Sequence, residues 1–324
     1  METKNLSAEQ IAEKIISGEH LTRGDNFEFL LTTPLEELQH GAHLIQKNFC
    51  GNHIDLCTII NGKSGRCGEN CKYCAQSACH KTGIDEYDFL SAEEILAAAK
   101  LNENFGVNRF SIVTSGRALS GKDFDKAIEA YKILRENLKI DLCASHGILT
   151  EEQLKKIRDV GVSSYHHNIE TSRRFFPKIC TSHTFDDRIK TIKLAQKVGL
   201  NVCSGGIIGM GENFQDRIDM AVELSELKIK SIPINSLMAV KGTALEDIPP
   251  LKPEEILRTI AIFRFINPDA NIRLAAGRKL LPDNGASAFL NGASASITGN
   301  MLTTSGTTIK DDMKLLKKLG LTNS

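Results

Sequence analysis

An α/β fold, a (β/α)8 barrel of the TIM type with an N-terminal helical extension, is the architecture this sequence predicts, and three observations predict it. Short apolar, β-branched runs alternate with helical patterns eight times over residues 51–324. No linker, low-complexity tract or strong repeat divides the 324-residue chain, so these units belong to one domain. Chemically active side chains gather where the strand runs end, which is where barrels of this kind carry their sites. A doubly wound sheet shares the alternation, but eight units in one undivided chain favour closure.

Taken in order, residues 1–50 read as the extension and 51–324 as the barrel with its C-terminal segment. Ser7 to Gln10 forms a capping box before the amphipathic run 11–16, and Thr33-Pro34 opens a second helix with proline in its first turn. Strands are expected over 53–61, 109–114, 140–145, 163–169, 201–208, 231–237, 271–275 and 294–298. Helices are expected over 92–104, 122–136, 151–160, 185–198, 214–227, 253–266 and 285–290, with 309–319 closing the chain. Thr150 to Gln153 is another capping box, and Gly161, Gly199 and Gly320 end their helices. The strand ends present Asn61, Ser111, Cys143, His166, Asn168, Glu170, Cys203, Asn235 and Arg273. Thiols and a guanidinium thus stand where a purely structural barrel would use Val, Ile or Leu.

Composition narrows the function. Forty basic and forty acidic residues cancel, so no global field draws nucleic acid or an anionic membrane to the chain. Trp is absent and only four Tyr are present, which removes the usual stacking platforms for single strands. No run approaches ~18 apolar residues, and the N-terminus lacks the apolar core of a signal peptide. A cytoplasmic protein without nucleic-acid or membrane partners is expected. Nine cysteines are an odd number, so a fully paired disulfide framework is excluded. At this density in a reducing compartment they point to metal binding or redox chemistry.

Cys67, Cys71 and Cys74 follow the first strand as C-x3-C-x2-C on a glycine-rich loop. Three thiolates this close can wrap one cubane iron–sulfur cluster and leave its fourth iron open to a small molecule. Zinc, with His80 as fourth ligand, is the alternative. Structural zinc loops usually carry two C-x2-C pairs, and one is present here.

The loop, C-x3-C-x-aromatic-C after the first barrel strand, resembles the signature of the radical S-adenosylmethionine enzymes. From about residue 35 to 320 the chain is similar to the biotin synthase family. CxENCKYCAQS (67–77), HNIETS (167–172), VCSGGIIGMGE (202–212), PINSL (233–237), VKGT (240–243), IRLAAGR (272–278) and GNMLTT (299–304) carry that resemblance, in order. It implies a 4Fe-4S cluster on Cys67, Cys71 and Cys74 whose open iron binds S-adenosylmethionine and, on one-electron reduction, yields a 5′-deoxyadenosyl radical. It implies Tyr73 beside the adenine, Asn168 and Glu170 at the ribose and substrate as catalytic residues, and Arg188 on the methionine carboxylate. Asn235 would meet the ureido ring of dethiobiotin, and Thr303 and Thr304 its carboxylate tail. An auxiliary 2Fe-2S cluster, the sulfur source, would be held by three cysteines and an arginine, of which Cys143, Cys203 and Arg273 match three. A flavodoxin- or ferredoxin-type electron donor, iron–sulfur assembly machinery and a homodimer are further implications.

The chain departs from the family pattern in three places. Glu170 stands where Asp is usual. Ser111 stands at the remaining auxiliary position, and a neutral serine is a poor iron ligand beside thiolate. Cys79 and Cys180 are additional. With Cys143 and Cys203 they are expected to complete a four-thiolate set for a remodelled, four-iron auxiliary cluster, whereas Cys50 and Cys57 are expected to be structural. Rival readings are a hydrogenase-maturation or methylornithine-forming radical enzyme, a zinc-binding barrel hydrolase, and a cluster-bearing sensor without catalysis.

Overall fold

The computed structural model describes residues 1–302 and 306–323. Its strands are β1 (Asp55–Lys63), β2 (Arg109–Thr114), β3 (Asp141–Ser145), β4 (Ser164–His166), β5 (Asn201–Cys203), β6 (Gly206–Ile208), β7 (Ser231–Ser236), β8 (Asn271–Leu274) and β9 (Ala295–Ile297). All pair in parallel, in the order β5-β4-β3-β2-β1-β9-β8-β7-β6. A further pairing of Cys203 with Ser231 joins β5 to β7 and closes the ring. β5 and β6 are the two halves of one bent strand, so the sheet is the eight-stranded barrel that the alternation predicts.

The bend corrects the expectation of one continuous strand over 201–208. A Cβ on Gly205 would lie 2.0 Å from the Pro233 carbonyl oxygen, and one on Gly206 would lie 2.3 Å from that of Glu170. The backbone passes between two neighbours at a separation that only glycine tolerates. Elsewhere the local rules hold. Thr150 and Gln153 cap the helix Glu151–Asp159 reciprocally, and Gly161, Gly199 and Gly320 take positive φ beyond their helices.

Strand alternation divides the interior into two layers. Leu56, Phe110, Ile112, Leu142, Tyr165, Ile232 and Ile272 point outward and are buried beneath the helices. Each such side chain contributes roughly 1.5–3 kcal/mol by leaving water. The inward set is polar and small, and it encloses space.

The N-terminal helix Ala8–Ile16 packs on the helix Leu35–Cys50, which in turn packs on the barrel's outer layer against the helix Pro253–Ile266. Gly41 permits the approach, since a Cβ there would sit 2.6 Å from the Phe265 ring. Gln46 bonds the Phe289 and Ala293 carbonyls and the Gly292 amide, tying the extension to the C-terminal segment. A short helix, Glu28–Thr32, lies between the two helices the sequence predicts. Among the described residues no helix is long and apolar enough to cross a membrane.

Gly206→Ala is expected to lower stability by about 1–3 kcal/mol, because Glu170 and Met220 must both move to admit the methyl group. Gly24→Ala, which meets nothing within 4 Å, should cost far less. Denaturant unfolding of the two variants checks the difference.

Candidate active site

A cavity of about 920 Å³ runs the length of the barrel, from the top loops at Cys67 and Leu237 to the strand starts at Asn201 and Ser231. Thiols line it at two levels. All nine cysteines are free.

The upper thiols sit on the loop after β1. Gly65 and Arg66 both take positive φ, turning the chain back over the barrel. The Cys67 amide donates to the Gln76 carbonyl (3.0 Å) and the Ala78 amide to the Cys67 carbonyl (2.8 Å), closing a loop that carries Cys71 and Cys74 between its ends. Ser77 Oγ fastens it internally by donating to the Glu69 carbonyl (2.6 Å). Cys67, Cys71 and Cys74 all line the cavity, with Tyr73 half-buried among them. Burial pushes the Tyr73 phenol well above its ordinary range, so it is a neutral wall. Three free thiols on one closed loop are a donor set that fits a cubane cluster with an open iron.

Below the loop, the end of β4 carries Asn168 and Glu170. Asn168 Oδ1 accepts from the Gly205 amide (3.0 Å) and its Nδ2 donates to Glu170 Oε2 (3.3 Å). Glu170 holds φ +70°, a strained conformation for a side chain of its size. Its carboxylate pairs with Arg188 (3.2 Å), whose Nη1 also donates to the Asn168 carbonyl (2.9 Å). Asn235, on β7, accepts from the Ala276 amide and donates to the Gly206 carbonyl. Both asparagines are therefore held in fixed orientations at the cavity wall.

The lower thiols are Cys143 on β3, Cys203 on β5 and Cys57 on β1, all lining the same cavity. Cys57 and Cys143 share a hydrogen bond that pushes Cys57 up and, with Arg109 and Arg273 alongside, brings Cys143 down. Burial opposes ionisation of Cys203, but its hydrogen bond to His166 and the nearby Arg273 bring it down to about 7. Arg273 donates to the Asp55 and Ser296 carbonyls (3.0 and 3.1 Å) and pairs with the Asp55 carboxylate (2.5 Å). Ser111 is buried in register with Cys143 and also faces the cavity.

The remodelled four-thiolate set needs correction. Cys79 is exposed, and Cys180 lies against Cys71 (Sγ–Sγ 3.6 Å) rather than beside Cys143 and Cys203. Neither joins the lower thiols. Cys57 does, and it was readable as the same-face partner of Ile59 and Asn61 along an alternating strand. Thr303 and Thr304 lie outside the described residues, but Met301 and Leu302 just before them line the cavity.

Comparison with known proteins settles the family. Residues 63–224 match the model of the Radical SAM superfamily, and residues 233–322 that of the Biotin and Thiamin Synthesis associated domain. The biotin synthase of Alkaliphilus metalliredigens is 57% identical over 315 residues, covering 97% of this chain and 99% of the relative. The chain belongs to the biotin synthase family. The biotin synthases of Clostridium beijerinckii (58% identical over 96% of this chain and 99% of theirs) and Brachyspira hyodysenteriae (51%, over 98% and 95%) agree. Among solved structures, methylornithine synthase superposes with a TM-score of 0.83 at 20% identity, covering 97% of both chains. The [FeFe]-hydrogenase maturase HydG gives 0.83 at 19% identity, covering 97% of this chain and 74% of its own. At these identities the last two share the barrel. The chain is accordingly a radical S-adenosylmethionine sulfurtransferase of the biotin synthase family. Its cofactors are a 4Fe-4S cluster, S-adenosylmethionine and an auxiliary iron–sulfur cluster.

Cys57→Ala is expected to strip iron and sulfide from the auxiliary cluster while leaving the four-iron cluster loaded, and Cys79→Ala to leave both intact. Iron and acid-labile sulfide analysis with Mössbauer spectra of anaerobically reconstituted protein distinguishes the two.

Proposed function

We propose that this chain inserts sulfur into dethiobiotin to form biotin, with Cys67, Cys71 and Cys74 holding the four-iron cluster and Cys57, Cys143 and Cys203 holding the auxiliary one beside Arg273. The observation that carries this reading is the presence of two separate thiol sets, at different depths of one cavity, with oriented amides between them. A radical enzyme that only rearranges carbon has no use for the deeper set, which favours sulfur insertion over the hydrogenase-maturation and methylornithine readings. When bound, the two clusters and S-adenosylmethionine supply a carbon-centred radical and the sulfur, chemistry that no side chain can provide.

The chain's own residues bind and position. Asn235 takes the ureido group of dethiobiotin, an amide meeting its complement. Arg188 takes the methionine carboxylate, its planar fork suiting that group, while Glu170 neutralises it and reaches the ribose with Asn168. Tyr73 packs beside the adenine. Thr303 and Thr304 receive the substrate's carboxylate tail. Holding the reacting carbons near both thiol levels supplies the proximity on which the rate depends. A flavodoxin- or ferredoxin-type donor and the iron–sulfur assembly machinery are the partners this chemistry needs, and we infer a cytoplasmic homodimer.

Anaerobically reconstituted protein given S-adenosylmethionine, reductant and dethiobiotin should yield both biotin and 5′-deoxyadenosine by mass spectrometry. Deoxyadenosine without biotin overturns the substrate assignment. Asn235→Ala is expected to weaken dethiobiotin binding about tenfold, roughly 1.4 kcal/mol, with S-adenosylmethionine binding unchanged, as equilibrium binding to the loaded enzyme will show.

A further inference from the structure

Cys180 takes no part in either thiol set, yet it is buried beside Cys71 with a histidine against it. Its sulfur lies 3.6 Å from Cys71 Sγ, 3.4 Å from His183 Nδ1 and 3.9 Å from His183 Nε2. One ligand atom from each residue fits within 4.8 Å of the other two, and all three residues are buried. Metal bonds of about 2.3 Å to sulfur and about 2.0–2.1 Å to nitrogen make a tetrahedral edge of about 3.5–3.8 Å. The sulfur–sulfur separation matches it, the Cys180–Nε2 separation of 3.9 Å lies just above it, and the third edge is under 4.8 Å, so a small inward movement of the imidazole closes the set.

The surroundings orient the imidazole as metal sites do. Glu69 Oε2 sits against His183 Nδ1 and also accepts from Ser182 Oγ (2.5 Å), which fixes the ring with its proton on Nδ1. The lone pair on Nε2 accepts from Arg188 Nε (3.0 Å). A cation arriving at Nε2 replaces that single N–H, and Arg188 keeps its bonds to the Asn168 carbonyl and Glu170. Two thiols and an imidazole select thiophilic divalent ions over magnesium or calcium.

We propose that the cluster-free chain binds one thiophilic divalent cation on Cys71, Cys180 and His183. Binding releases the two thiol protons to solvent and involves no change of oxidation state. Because Cys71 belongs to both sites, the single ion and the four-iron cluster exclude each other, and the ion must leave before the cluster can close. This site stands whatever the substrate of the loaded enzyme.

Cobalt(II) is the probe, titrated without oxygen into cluster-free full-length protein and followed by thiolate charge-transfer and tetrahedral ligand-field absorption. One equivalent should be lost, or bound at least tenfold more weakly, in Cys180→Ala, in Cys180→Val and in His183→Ala, while Cys67→Ala and Cys74→Ala retain it. Loading the four-iron cluster should remove the same equivalent from the wild type. The opposite pattern, loss in Cys67→Ala with Cys180→Ala and Cys180→Val unchanged, puts the ion on the cysteine loop and overturns the proposal. So does cobalt binding that none of these variants alters. Circular dichroism confirms folding, and the isosteric Cys180→Val guards against a cavity effect in the alanine variant.

Discussion

One buried carboxylate holds the floor of this barrel together. Asp55, at the start of β1, pairs with Arg273 from β8 (2.5 Å) and accepts from Arg109 Nε on β2 (2.9 Å), while Arg273 also reaches the Ser296 carbonyl on β9. Four adjacent strands are thus fixed by one charge cluster with its hydrogen bonds satisfied. Burial opposes the ionised carboxylate, but Arg273 and Arg109 outweigh it and hold Asp55 below its ordinary range. Removing one partner from such a cluster leaves an uncompensated buried charge, a loss of about 3–5 kcal/mol. The same contacts aim Arg273 and Arg109 at the space above them, where the lower thiols lie.

That space is what the fold sacrifices. A barrel of this size ordinarily fills its centre with branched apolar side chains in layers. Here the inward positions carry Cys57, Ser111, Cys143, Ser164, Cys203 and Ser231, and a cavity of about 920 Å³ remains. The stability of the chain rests on the outer layer, where Leu56, Phe110, Leu142 and Ile232 meet the helices, and on the Asp55 cluster beneath. Groups that bind only the folded chain add to this stability by mass action, so filling the cavity is also a way of finishing the fold.

Much of this was legible in the sequence, for definite reasons. Strand and helix positions followed from hydrophobic period and capping residues, which act locally; the helices at 92–104 and 253–266 agree residue for residue. The break at Ser204-Gly205 was not legible, because it is forced by the Glu170 and Pro233 carbonyls from distant strands. The upper thiols were legible because one loop carries them all. Cys57 was missed although its alternation with Ile59 and Asn61 placed it inward; a cysteine between Leu56 and Thr58 in a buried strand looks like core. Cys180 was grouped with the lower thiols, whereas it lies against Cys71. Its short helix, Phe176–Ile179, returns it to the loop through the Lys72 amide on the Ile179 carbonyl, a contact that sequence spacing does not encode.

The parallel register arranges the site's parts as rungs. Ser164 stands level with Cys143, while His166 and Ser231 stand level with Cys203. At about 3.3 Å per residue, Asn168 stands roughly 7 Å above His166, and Asn235 roughly 13 Å above Ser231 if fully extended. The loop thiols and Arg188 close the top. The two amides therefore stand between the deeper thiols and the thiols of the loop, at different heights on the wall of one cavity. Moving any rung by one residue would turn its side chain out of the barrel. The Asp55 cluster, which ties β1 to β2 and, through Arg273 on β8, to β9, thereby sets the alignment of the two thiol levels.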